Sequence, residues 1–93
     1  MSYEQHIIDK VAELAAVLTP IPDIAVLLGI DEDALRIAIR DHTTAVSRAY
    51  RTAKAETALQ MRRQELELAR VGAPLAAQLT SDYLRTMESD EDL

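Results

Sequence analysis

Arg36, Arg40, Arg48 and Arg51 recur at helical intervals in the middle of the chain, and they are its clearest candidates for chemistry. A guanidinium is always charged and presents a rigid fork of N–H donors that matches phosphate oxygens, so the chemistry is polyanion binding rather than bond making. Two observations compete with that reading. Asp31, Glu32 and Asp33 stand directly before the arginines, at the start of the helix that carries Arg36 and Arg40. Carboxylates there are favoured by the helix dipole, but they repel DNA phosphates and make a poor reading head for base edges. Arginines also serve as solvated surface groups, covering apolar neighbours with their stems or pairing with glutamates such as Glu65 and Glu67.

Bond-making chemistry finds little support. With Gly29 and Gly72 the only glycines, neither GxxxxGK[ST] nor GxGxxG occurs, and the lack of cysteine removes thiolate metal sites. His6 with Glu4, Asp9 and Glu13 reads as a solvated helix face rather than a metal cluster. His42 follows a helix end, where an imidazolium is favourable without any catalytic role. The serines have no paired base. The expectation is a protein that is not an enzyme and has no cofactor or metal.

Charge is segregated along the chain. Residues 1–35 carry a net −6, residues 36–70 a net +4 and residues 71–93 a net −4, giving −6 over 93 residues. A basic middle between acidic ends suits a polyanion, or ends that attract a neighbouring subunit's middle. A chain of this size buries only about two-thirds of its unfolded surface, so help from other subunits is plausible. The longest apolar runs, Ile24 to Leu28 among them, are far too short to span a bilayer, and MSYEQHIIDK lacks the basic start of a signal peptide, so no membrane partner is expected.

The elements that would position the arginines are helical. Phe and Trp are absent and Ala, Leu, Glu and Arg dominate, which favours an all-α fold. Ile7, Val11, Leu14, Ala15 and Leu18 share one face of a first helix expected over Tyr3–Leu18. Thr19 is expected to cap a second helix with Pro20 at its first position, ending at Gly29 in a left-handed conformation. Asp31 would cap a third helix burying Leu35 and Ile39. Helices joined in this way form a helix-turn-helix, expected as a domain over residues 1–42.

Thr43 or Thr44 would cap a fourth helix running without Gly or Pro to Gly72, about 42 Å long. It carries two opposed apolar seams. Val46, Tyr50, Ala53, Met61, Leu68 and Val71 form one; Ala55, Leu59, Leu66 and Ala69 form the other, flanked by Arg51, Arg62, Arg63 and Arg70. Pro74 opens a fifth helix with Leu75, Leu79, Tyr83 and Met87 on one face, which folds back as an αα-hairpin and covers the first seam. The second seam, Ala55, Leu59, Arg62, Leu66 and Ala69, is left for another subunit. The hairpin is an oligomerisation region expected over 43–87, and the end, 88–93, is expected to be an acidic, solvated, disordered tail.

The succession of IPDIAVLLGIDEDALRIAI and AYRTAKAETALQMRRQELELARVGAPLAAQLTSDYL resembles the small terminase subunits of tailed bacteriophages. The resemblance covers about residues 12–86 and rests on the pairing of the two segments. It implies a non-enzymatic viral genome-packaging protein that forms a homo-oligomeric ring in the host cytoplasm, recognises the packaging site on double-stranded DNA and recruits the large terminase subunit, an ATPase and nuclease. By position, Arg36 and Arg40 would be the basic side chains of its DNA-facing helix, with Arg48 and Arg51 following. The residues also fit a dimeric helix-turn-helix transcription regulator, or a protein-interaction module that has lost DNA binding.

Overall fold

The computed structural model describes residues 3–72 and 74–91, with side chains at 3–72 and 82–91. Five helices follow one another: α1 (Gln5–Ala16), α2 (Ile21–Leu28), α3 (Glu32–Arg40), α4 (Ala45–Arg70) and α5 (Pro74–Glu91). Among the described residues there is no strand, so the chain is all-α. None of these helices is long and apolar enough to cross a membrane.

The helix ends follow from local chemistry. Gly29 has φ 67° and ψ 34°, and the Ile30 N–H bonds back to the Ala25 carbonyl at 3.0 Å, so α2 closes on a left-handed glycine. Asp31 Oδ2 accepts the Ala34 N–H at 2.8 Å and starts α3. Of the two threonines, Thr44 caps α4: its Oγ1 accepts the Ser47 N–H at 3.1 Å and donates to the Ala38 carbonyl at 2.7 Å. Pro74 opens α5.

Two ends differ from expectation. The first helix stops at Ala16 rather than Leu18, because Leu18 itself takes φ 62° while the Thr19 N–H closes on the Leu14 carbonyl at 3.0 Å. A leucine there does what glycine usually does. The second helix begins one residue later than expected: the Pro20 carbonyl accepts the Ile24 N–H at 3.0 Å, so Pro20 is the cap and Pro22 lies in the first turn.

One core joins all five helices. Ile8, Val11 and Ala15 of α1 meet Ile21, Ile24 and Ala25 of α2, Leu35 and Ile39 of α3, Val46, Tyr50 and Ala53 of α4, and Met87 of α5. Residues on both sides of position 42 share it, and the fit of α1 against α4 is secured by Thr57, whose hydroxyl donates to the Ala16 carbonyl at 2.7 Å. Helix α4 outruns this core and stretches the molecule to 48 Å against 20 and 18 Å in the other directions. Its first seam is covered through Val46, Tyr50, Ala53 and Met61; Leu68 is half-buried and Val71 is exposed.

The expected acidic tail is corrected at residues 88–91. They form the final turn of α5, and Glu91 is buried, because Lys54 and Tyr50 supply partners for its carboxylate; Asp92 and Leu93 lie outside the described residues. The row expected on α5 changes too. Tyr83 is 69% exposed while Met87 is fully buried. Steps of four residues drift by roughly 40° each on an α-helix, so one such row leaves a straight seam, and the line taken is Leu84, Met87, Glu91. The side chains of Leu75 and Leu79 lie outside the described residues.

Gly29 provides a clean test of the backbone argument. Beyond its two chain neighbours, no heavy atom lies within 4 Å of the position its Cβ would take, so Gly29→Ala meets no clash with the rest of the fold. The positive φ alone is expected to cost about 1–2 kcal/mol, read as a lower urea midpoint with an unchanged slope.

Candidate nucleic-acid interface

The four arginines are engaged differently: Arg36 and Arg51 bond within the chain, while Arg40 and Arg48 are exposed. Arg36, on α3, is turned toward the end of α5: its Nη1 donates to the main-chain carbonyls of Asp90 at 2.7 Å and Glu91 at 3.2 Å. Its Nη2 donates to Glu32 Oε2 at 3.2 Å and lies 3.6 Å from Asp90 Oδ2, an ion-pair separation too long for a hydrogen bond. The last carbonyls of a helix have no partner within it, so Arg36 serves as a C-terminal cap for α5. Desolvation opposes its charge, but Glu32 and Asp90 outweigh that effect and hold the guanidinium pKa above its ordinary value.

Arg51 has a similar task at the C-terminal end of α3. The buried Ser47 hydroxyl donates to the Ile39 carbonyl at 2.6 Å; Arg51 Nε donates to Ser47 Oγ at 3.0 Å and Nη2 to the Ile39 carbonyl at 3.3 Å. These bonds satisfy the end of α3 and fix its angle to α4. Arg48 lines a shallow groove between α1 and α4 with Gln5, Ile8, Ala12, Thr52 and Glu56. Arg40 is exposed at the last residue of α3. Beside it, the N–H and hydroxyl of Thr43 bond Asp41 Oδ1 and hold that carboxyl below the usual range.

A second constellation, absent from the sequence reading, lies where α4 and α5 meet. Lys54 Nζ donates to both oxygens of Glu91, at 2.7 and 2.6 Å, and the Tyr50 hydroxyl donates to Glu91 Oε1 at 2.8 Å. The ammonium also lies 5.9 Å from the centre of the Tyr50 ring, within cation–π range. Glu91 is 5% exposed and Tyr50 fully buried. The available signal was Tyr50 and Lys54 four residues apart on one helix, matched by Met87 and Glu91 four apart on the other.

The second seam of α4 is open. Ala55, Leu59, Arg62, Leu66 and Ala69 are all exposed, with Leu59 at 44% and Leu66 at 62%. Val26 and Leu27 on α2 and Ile37 on α3 are also exposed. Among the described residues, no three His, Asp or Glu side chains come together as a metal site.

Comparison with protein-family models, curated proteins and solved structures found no match to this chain.

The Tyr50 phenol carries a pH dependence. Burial, then the hydrogen bond to Glu91 and the charges of Glu91 and Asp90, push its pKa far above the ordinary value, so the folded state holds the neutral form. A raised folded pKa gives stability that is present below the unfolded value of about 10 and lost as pH rises above it. Urea titrations across that range should show wild-type stability falling more steeply than that of Tyr50→Phe.

Proposed function

We propose that the chain is a homo-oligomeric, non-enzymatic DNA-packaging adaptor of the small-terminase kind, acting in the host cytoplasm. In this reading α2, the Gly29 turn and α3 are a helix-turn-helix; α4 and α5 are the hairpin through which subunits assemble. The observation that carries it is the exposed seam Ala55, Leu59, Leu66 and Ala69 on a helix of 26 residues, bordered by Arg62, Arg63 and Arg70. Leu59 and Leu66 are large side chains left in water on a helix that already uses its opposite side, and a second copy of α4 would cover them.

Assembly also supplies what the single chain lacks for DNA. With Arg36 and Arg51 engaged within the subunit, Arg40 and Arg48 are the exposed members of the set. Two cations make a weak contact with a duplex, but repeated around a ring they act together, and avidity multiplies the affinity. The partners in this reading are double-stranded DNA, further copies of the chain and the large terminase subunit.

A second reading, a protein-interaction module without DNA binding, draws support from the same geometry. Val26, Leu27 and Ile37 are exposed apolar side chains on the two helices that would face DNA, and Glu32 and Asp33 are exposed beside them.

Native mass measurement and duplex retention at low salt separate the readings. The packaging reading expects an assembly of more than two subunits that Leu66→Glu breaks, and duplex retention that the pair Arg40→Ala with Arg48→Ala abolishes. A stable monomer would sink it. A dimer would favour a regulator, and an oligomer that retains no duplex would favour the interaction module.

A further inference from the structure

The last turn of α5 is held by an unusual set of partners for a chain end so rich in acid. Asp90 and Glu91 bring two carboxylates and two helix-terminal carbonyls against Arg36 and Lys54. Those are the oxygen acceptors that a run of backbone phosphates would also present, and a guanidinium fork fits either set. Arg36 stands four residues from Arg40, so both lie on the same side of α3, one turn apart.

The grip is of a kind that can be released. An ion pair taken out of water loses much of its Coulomb gain to desolvation, so Lys54 with Glu91 is a weak source of net stability despite its short distances. Asp90 Oδ2 is buried with Arg36 at ion-pair distance and no hydrogen bond. Apolar anchorage within the final turns comes from Met87.

We propose that the last turn of α5 is an autoinhibitory latch: Asp90 and Glu91 occupy Arg36 and Lys54 in place of DNA phosphates, and the structure is the closed form. When the turn lifts, α3 offers Arg36 beside Arg40, and Lys54 is freed on α4. The proposal rests on the reading of α3 as a DNA-contacting helix. Apparent affinity for DNA is then the affinity of the open form scaled by the fraction of chains in which the latch is open.

The test measures anisotropy of a labelled mixed-sequence duplex with the full chain over a range of salt, comparing wild type, Glu91→Ala and Glu88→Ala. Glu88 is exposed on the same terminal turn, so its variant makes the same change in net charge without touching the latch. Hydrogen exchange reports whether α5 has undocked and whether α1–α3 stay folded; Glu91→Gln, which keeps the side-chain shape, replaces Glu91→Ala if they do not.

Opening the latch should tighten binding about threefold or more relative to Glu88→Ala and steepen the salt dependence by one to two phosphate contacts, about 0.9 in slope for each. Adding Arg36→Ala should remove most of the gain. Faster exchange in α5 with affinity and slope equal to those of Glu88→Ala would overturn the latch and leave DNA binding standing. If no variant holds the duplex even at low salt, the DNA reading itself fails and the latch falls with it.

Discussion

Tyr50 is fully buried where α4 meets the rest of the core, and a phenol in that place must find an acceptor. The one it finds is Glu91, from the far end of the chain. A carboxylate cannot be buried on a single hydrogen bond, and Lys54, one turn along α4, brings the compensating charge. Glu91 in turn holds the final turn of α5 against α4, which carries the Asp90 and Glu91 carbonyls to Arg36 on α3. One buried hydroxyl thus sets where the last helix ends and how the arginine of another helix is spent. The burial of Met87 nearby supplies the apolar part of the same contact, on the order of 1.5–3 kcal/mol for a side chain of that type.

The length of α4 is the second constraint. At 26 residues it spans about 39 Å, and α1, α2 and α3 gather around its first half. Thr44, Ser47 and Arg51 fasten that half to the end of α3, and Thr57 fastens it to the end of α1. Beyond Met61, Leu66 and Val71 face water while Leu68 is half-buried. Fastened in this way, α4 holds its exposed seam at a fixed angle to α3. In the proposed ring, a repeated DNA contact would need that rigidity, since avidity is lost when geometry forbids simultaneous engagement.

Much of the fold was legible in the sequence because its punctuation is local. Gly29, Asp31, Thr44 and Pro74 each act within a few residues, and each ends or starts a helix as its type suggests. The end of α1 was harder, since Leu18 takes a left-handed conformation that nothing in its side chain announces. The end of α5 was misread for a different reason. Its composition describes how the segment would behave alone, but the partner that permits Glu91 to be buried lies 37 residues away in sequence. The four-residue spacings of Tyr50 with Lys54 and of Met87 with Glu91 fit a pairing of the two helices, but spacing within each helix does not say which residues of the other it meets.

The arginines show the same limit in the candidate site. Spacing put Arg36 and Arg40 on one side of α3 correctly, yet an exposed guanidinium and one that caps another helix have the same spacing. Both uses draw on the same physics: carbonyls at a helix C-terminus carry partial negative charge, and phosphates carry a full one, so the side chain suited to one is suited to the other. If α3 meets DNA as proposed, the contact of Arg36 with Asp90 and Glu91 places it in competition rather than removing it from DNA chemistry. The outcome of that competition depends on how tightly a turn anchored by Met87, Lys54 and Tyr50 stays down. In the proposed reading, Arg36 can join Arg40 in a DNA contact only if the acid that covers it can leave.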